Sequence, residues 1–133
     1  MIIIRADANK NIGIGHVMRC LSIAKALINA GEECLFVTAD HDGDVLIKQN
    51  GFTPMCLNSS WNNLKQEIDC FCECIREYRP FLVIVDTYYV TFDYFYNITK
   101  YSKVAYIDDM NSMCWPIDIL INYNIFAGVY DYS

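Results

Sequence analysis

The sequence predicts an α/β fold with a doubly wound, mostly parallel sheet of the Rossmann-like kind. Short apolar, β-branched runs alternate with segments whose apolar residues recur at helical spacing. The order of elements, β-α-β-α-β-α-β-α-β-β, is typical of a parallel sheet with helices on both faces. Two glycines stand between the first strand and the first helix, at the end of the sheet where such folds bind ligands.

The first half of the chain supports this pattern element by element. Residues 1–6 are apolar and β-branched, as a buried parallel strand requires. Residues 7–14 form a loop, and Gly31 fits the C-terminal end of a helix over 15–29. That helix has its apolar face at Val17, Leu21, Ala24, Leu27 and Ile28. A strand over 33–38, a short helix over 45–50 closed by Gly51, and a strand over 53–57 follow.

The second half continues the alternation. Ser59 or Ser60 is expected to cap a long helix over 61–78, which Pro80 ends. Its apolar face is predicted at Leu64, Ile68, Phe71 and Ile75. Residues 82–86 give the clearest strand pattern of the chain, and a helix over 91–101 follows them. Strands over 103–107 and 117–122 complete the sheet, so residues 1–133 are expected to form a single domain.

Composition excludes some classes of partner. A formal net charge of −6 and a pI near 4.7 argue against binding to nucleic acid or to anionic membranes. They do not exclude a phosphorylated small molecule, because Arg5, Lys10, His16 and Arg19 place positive charge around the glycine loop. No apolar run approaches the length of a membrane span.

The cysteines predict neither a disulfide scaffold nor a metal site. Their number, seven, is odd, and no secretory signal precedes them, so a reduced cytoplasmic protein is expected. Cys70, Cys72 and Cys74 have no second cysteine pair at zinc-site spacing and are interpreted as core or incidental residues.

The loop before the first helix is the candidate ligand site. Gly13 and Gly15 let the backbone approach a ligand closely, and a helix start offers free N–H groups to an anion. His16 follows them and is able to act as a general base or acid, or to donate to a phosphate. His41 lies in a loop without such a context, and no role is predicted for it.

Three known loop types fit poorly. The dinucleotide fingerprint requires a third glycine where Met18 stands, and no lysine follows the glycines as a phosphate-binding P-loop requires. A phosphoacceptor receiver domain would need an acidic pair after the first strand, where Asp7 stands alone, and a lysine after the fifth.

Acidic residues follow four of the predicted strands and should share one edge of the sheet: Asp7, Asp40, Asp86 and Asp108. Asp86 could orient His16 or bind a sugar hydroxyl, and could equally cap a helix. Capping and loop bracing are expected for Asp108 and Asp109.

Several segments together resemble one family of enzymes. They are residues 5–8 (RADA), 12–21 (IGIGHVMRCL), 83–88 (VIVDTY), 107–109 (IDD) and 118–122 (DILIN). They resemble the UDP-sugar hydrolases of pseudaminic acid biosynthesis, which act on UDP-2,4-diacetamido-2,4,6-trideoxy-β-L-altrose, and the related spore coat polysaccharide biosynthesis proteins. The resemblance spans most of the chain. The family's usual Asp-His-Tyr element reads Asp86-Thr87-Tyr88 here.

The resemblance implies the N-terminal half of a GT-B fold and hydrolysis of the sugar C1–O bond, with inversion, release of UDP and no metal or other cofactor. It implies that His16 is the base that activates water, and that Asp7, Gly15, Arg19 and Tyr88 line the sugar side of the cleft. Family members are about twice as long as this chain, so a nucleotide-gripping C-terminal domain is expected to be absent from it.

Two other functions are left open. The same fold could transfer the sugar to an acceptor, as a GT-B glycosyltransferase does. The domain could also be a non-catalytic module that binds nucleotide sugars or assembles with a partner, and its ten tyrosines make a homodimer a further alternative.

Overall fold

A computed structural model describes residues 1–108 and 115–121. The prediction for Asp109 and the end of the strand predicted over 117–122 lie outside these residues, as does Cys114, one of the seven cysteines. Within the described chain the strands are β1 (Ile2–Ala6), β2 (Cys34–Thr38), β3 (Pro54–Cys56), β4 (Leu82–Asp86), β5 (Lys103–Ile107) and β6 (Ile119–Ile121). The helices are α1 (Gly15–Asn29), α2 (Asp44–Gln49), α3 (Ile68–Tyr78) and α4 (Phe92–Ile98).

The strands form one parallel sheet, and this confirms the predicted fold class. In the described part of the chain the sheet has six strands in the order β3-β2-β1-β4-β5-β6. All five neighbouring pairs are parallel. The chain moves outward from β1 through β2 to β3, and then returns to place β4 on the other side of β1. The crevice between the ends of β1 and β4 is therefore the topological switch point, where doubly wound folds bind ligands.

Two apolar layers cover the sheet because alternate residues of each strand face opposite sides. On one face, Ile2, Ile4 and Ala6 of β1 pack with Val17 and Leu21 of α1. On the other face, Ile3 of β1 lies in a cluster with residues of α3 and α4, among them Phe71, Ile75, Phe95 and Ile98. Strands buried on both faces explain the continuous hydrophobic runs of the sequence.

Two helix boundaries and one core assignment differ from the sequence-based predictions. The predicted helix over 61–78 begins later: Leu64–Glu67 form a 3-10 turn, and α3 starts at Ile68. Neither serine caps it, because the Ser59 hydroxyl donates to Glu67 (Oγ to Oε1, 3.1 Å) and the Ser60 hydroxyl donates to Gln66 (Oγ to Oε1, 3.4 Å). The fourth helix ends at Ile98 and not at 101, and Ile28, assigned to the core, is 46% exposed.

The residues that end the first two helices agree with the sequence-based predictions. Gly31 and Gly51 adopt positive φ angles of 92° and 88° just after α1 and α2, as glycines that end helices commonly do. Thr91 caps α4 by accepting a hydrogen bond from the backbone of Tyr94 (3.1 Å). No helix among the described residues is long and apolar enough to cross a bilayer.

Candidate functional site

His16 and Asp86 meet at the switch point. His16 lies in the first turn of α1, and Asp86 is the last residue of β4, paired in register with Ala6 of β1. That register places the Asp86 side chain on the sheet face covered by α1. The imidazole Nδ1 is 2.6 Å from the Asp86 carboxylate Oδ1. The sequence left Asp86 undecided between orienting His16, binding a sugar hydroxyl and capping a helix, and the structure places it against His16.

Arg19 holds the same carboxylate from one turn further along α1. Its Nε donates to Asp86 Oδ2 and its Nη2 donates to Oδ1, so the guanidinium grips both oxygens. The buried thiol of Cys20 also lies 3.5 Å from Oδ2. We refer to His16, Arg19, Cys20 and Asp86 as the edge cluster. A bidentate clamp leaves the carboxylate little freedom to turn away from the imidazole.

The electrostatics of the edge cluster keep Asp86 ionised. Burial favours the neutral acid, but the hydrogen bonds and charges of Arg19 and His16 outweigh it, so the pKa of Asp86 lies below its ordinary value. The pKa of Cys20 is raised well above its ordinary value, first by burial and then by the charge of Asp86. Cys20 therefore remains a neutral thiol that can donate to the carboxylate.

This charge distribution selects one tautomer of His16. An ionised carboxylate only accepts hydrogen bonds, so the imidazole nitrogen facing it must carry the proton. Arg19 Nη2 lies 3.3 Å from the same Nδ1, but a guanidinium has no lone pair to accept that proton. Nε2 is then the basic nitrogen, and none of the residues that the structure describes forms a hydrogen bond to it. The geometry is that of a carboxylate-oriented general base.

Tyr88 completes the surroundings of the imidazole. Its ring packs edge-on against His16, with centroids 4.6 Å apart and an angle of 75° between the planes. The side chain is 49% exposed, so it is accessible to a ligand beside His16. Next to it, Tyr89 packs edge-on against Trp61, with centroids 5.4 Å apart.

The glycine loop lies beside this cluster. Gly13 has a φ of 73°, which a residue with a side chain rarely adopts, and exchanges backbone hydrogen bonds with Asn9. Gly15 has an ordinary backbone, and no described atom lies within 4 Å of the place where its Cβ would be. The first glycine is thus required by the turn, whereas the second leaves open space at the start of α1.

Arg5 and Asp7 occupy a different place from the one expected. The Arg5 side chain is fully buried, and two of its nitrogens donate to Glu67: Nε to Oε2 at 2.8 Å and Nη2 to Oε1 at 2.7 Å. Its Nη1 donates to Asp7 Oδ2 at 2.7 Å, and Tyr94 donates its hydroxyl to Glu67 Oε2 at 2.7 Å. We refer to Arg5, Asp7, Glu67 and Tyr94 as the core ion cluster.

The core ion cluster lies on the sheet face covered by α3 and α4. Asp7 Oδ1 also accepts the backbone N–H of Ala39 at 2.7 Å, which ties the ends of β1 and β2 together. The expectation that Arg5 supplies positive charge to a ligand therefore needs correction, because its guanidinium is neutralised inside the protein. No sequence pattern predicts this role for Glu67, because its partner Arg5 is 62 residues away.

The remaining candidate residues from the sequence lie outside the edge cluster. His41 is exposed, and its Nδ1 lies 2.7 Å from Asp44 Oδ2 in the turn that precedes α2. Asp108 is buried at the end of β5, where its backbone N–H donates to Ile121. Cys74 packs in the core, Cys72 is half-buried and Cys70 is exposed. Among residues 1–108 and 115–121, no group of three or more His, Cys, Asp or Glu side chains could hold a metal ion.

Comparison with known proteins shows similarity to a longer archaeal protein. The chain is 30% identical over 125 residues to the uncharacterized protein MJ1062 of Methanocaldococcus jannaschii. The match covers 91% of this chain but 24% of that relative, so the chain spans about a quarter of the relative's length. No family model matches the chain.

Proposed function

We propose that this chain is the N-terminal, catalytic-base domain of a nucleotide-sugar hydrolase. Its substrate would be a UDP-linked diacetamido-trideoxy sugar, and its product would enter nonulosonic acid or surface polysaccharide biosynthesis. The single observation that carries the proposal is the contact between His16 Nδ1 and Asp86 Oδ1 at the switch point of the sheet. The resemblance of residues 12–21 to the UDP-sugar hydrolases supplies the substrate class.

The proposed reaction uses Nε2 of His16 as the base. A water molecule gives a proton to Nε2 as its oxygen attacks C1 of the sugar on the side opposite the nucleotide. The C1–O bond breaks, its electron pair leaves with UDP, and the configuration at C1 inverts. The imidazolium formed in this step faces the ionised Asp86, which stabilises it without accepting the proton.

Arg19 and Cys20 act through Asp86 in this proposal. Both donate to its carboxylate, so they keep it ionised and aligned with the imidazole. They are positioning residues in this proposal, because each donates to Asp86 and Asp86 in turn faces the imidazole. The sugar next to His16 would then contact Tyr88 and occupy the open space beside Gly15.

A measurement of UDP release tests the proposal. The chain is incubated with the UDP-linked diacetamido-trideoxy sugar, alone and together with the second domain that the resemblance implies. We expect His16→Ala to lower the rate by about 10²–10⁴-fold, the usual contribution of a positioned general base. The matched control is His41→Ala, since His41 is exposed and forms only a surface pair with Asp44.

Wild-type rates in His16→Ala, or the absence of UDP release in both arrangements, would refute the hydrolase proposal. A glycosyltransferase is the second candidate, because the same base could take a proton from an acceptor hydroxyl in place of water. Analysis of the sugar product separates the two, since hydrolysis gives the free sugar and transfer gives a glycoside.

A further inference from the structure

A concave feature also lies beside the glycine loop. It is a cleft of about 550 Å³ between the β1–α1 loop and the start of α2. Most of its wall is apolar or backbone, from Ala8, Gly13, Ile14, Gly43 and Leu46. Gly43 packs closely against the loop, because a Cβ at this position would lie 3.4 Å from the Cβ of Ala8.

Asn9 lines the same cleft and carries an unsatisfied donor. Its Oδ1 accepts hydrogen bonds from the backbone N–H groups of Asn11 (2.8 Å) and Ile12 (3.0 Å), which fixes the turn. Its Nδ2 is buried and has no hydrogen-bond partner among the described residues. A buried amide donor without an acceptor costs free energy, and native proteins contain few of them. An acceptor oxygen supplied by a ligand would remove this cost.

The lining also restricts the class of ligand. Apolar walls favour a short hydrocarbon group, and the unsatisfied donor favours a carbonyl oxygen next to it. The charged side chains that line the cleft, Lys10 and Asp42, have opposite signs. They give the cleft no net charge, so a phosphate or a carboxylate is less favoured than a neutral group. An acyl amide combines an apolar end with a neutral carbonyl.

We infer that this cleft binds an N-acyl group of the sugar and that the Asn9 Nδ2 donates to its carbonyl oxygen. Ile14 of the cleft precedes His16 by two residues, so their Cα atoms are at most about 7 Å apart. A sugar ring attached to an acyl group in the cleft therefore lies within reach of the first turn of α1, which carries His16. The inference rests on the proposed function for the sugar, and it makes Asn9 a specificity-determining residue.

Titration of the ¹⁵N-labelled chain with two simple glycosides tests this inference. The probes are methyl N-acetyl-β-D-glucosaminide and methyl β-D-glucoside, which differ in the acyl amide. We expect saturable shifts of the Asn9 side-chain amide and of the Gly13 and Gly43 backbone amides with the first glycoside only. Equal shifts with both glycosides, or none that saturate with the first, would overturn the inference.

Asn9→Asp is the variant that isolates the donor. The carboxylate still accepts from Asn11 and Ile12, so the turn is kept, while the Nδ2 donor is lost. We expect about tenfold weaker binding of the N-acetyl glycoside, which corresponds to one hydrogen bond. Asn29→Asp is the matched control, because it makes the same chemical change at the far end of α1. Equal affinity in Asn9→Asp and the wild type would contradict the role of Asn9.

A second variant covers the case in which Asn9→Asp disturbs the loop. Gly43→Ala adds a methyl group at ordinary contact distance from Ala8 and so narrows the cleft without backbone strain. It should weaken the same binding, and unchanged affinity would place the acyl group elsewhere. Failure of the two proposals is distinguishable. If UDP is released but binding does not depend on the acyl group, only the assignment of the cleft is refuted. If binding depends on the acyl group but no UDP is released, only the proposed hydrolysis is refuted.

Discussion

The core ion cluster and the edge cluster both pair an arginine with a carboxylate, yet they are built for different purposes. In the core ion cluster the Arg5 and Glu67 side chains are completely buried, and Tyr94 and Asp7 complete their hydrogen bonds. In the edge cluster Asp86 is equally buried, but its partner Arg19 is 20% exposed and its other partner is a titratable imidazole. The first network is closed, and the second leaves one nitrogen of His16 available.

This difference shows why an arginine near a glycine loop is not by itself an anion site. Arg5 and Arg19 are both close to the loop in sequence, but β1 directs Arg5 to the sheet face covered by α3 and α4. Burial lowers the pKa of Arg5, but Glu67 and Asp7 more than reverse this and raise it above its ordinary value. A charge held in this way contributes to the fold and not to a ligand.

The largest expected effect on stability is therefore in the core ion cluster. Arg5→Met leaves two carboxylates, Asp7 and Glu67, buried without their cation, and should lower the free energy of unfolding by about 3–5 kcal/mol. Chemical denaturation measures this. The control is Arg76→Met, whose exposed guanidinium lies over the ring of Tyr101 and should contribute at most about 1 kcal/mol.

The double variant Arg5→Met with Glu67→Leu sharpens the interpretation. It removes both large charges together, so we expect it to recover part of the stability that the single variant loses. If Arg5→Met were no more destabilising than Arg76→Met, the core ion cluster would not contribute to the stability of the fold.

An effect of intermediate size is expected on the free energy of unfolding when Asp86 is protonated at low pH. Because the pKa of Asp86 is lowered in the folded state, its ionised form stabilises the protein fully above the ordinary carboxyl pKa of about 4. This contribution is lost as the pH falls through the lower, folded-state pKa. Unfolding curves of the wild type and Asp86→Asn should differ by about 1–3 kcal/mol at pH 7 and converge below about pH 4. A difference that does not change with pH would contradict the assigned charge.

The smallest expected effect on stability is the difference between alanine substitutions at the two glycines of the loop. Gly13→Ala forces a side chain onto a φ of 73° and should destabilise by about 1–2 kcal/mol in thermal or chemical unfolding. Gly15→Ala meets no such strain and should leave stability within about 0.5 kcal/mol. It should instead weaken binding of the UDP-sugar, because its methyl group enters the space beside His16. Equal destabilisation by both variants would remove this distinction.

The fold was predictable because its signals are local. The isoleucines of β1 and the helical spacing of Val17, Leu21 and Ala24 predict buried elements without reference to the rest of the chain. The start of α3 was predicted wrongly for the opposite reason. The hydroxyl of Ser59 is used by Glu67, and Glu67 is placed by Arg5, so that boundary depends on contacts between distant parts of the chain.

The site was predictable in part. His16 and the glycines follow β1 directly, so their sequence positions alone place them at the ligand edge of the sheet. The pairing of Asp86 with His16 requires the strand order, because it depends on β4 lying next to β1. The unsatisfied donor of Asn9 was not predictable from the sequence. It arises because the side chain is buried and its Oδ1 accepts hydrogen bonds from the turn, which leaves Nδ2 without an acceptor among the described residues.

The most direct test of the proposed base is a measurement of the tautomer of His16. Long-range ¹H–¹⁵N NMR of the imidazole reports this tautomer and requires only the chain, without substrate. Neutral His16 should carry its proton on Nδ1, facing Asp86, and leave Nε2 unprotonated, and Asp86→Asn should remove this preference. A proton on Nε2 in the wild type, or a spectrum that Asp86→Asn does not change, would contradict the assignment of His16 as a base oriented by Asp86.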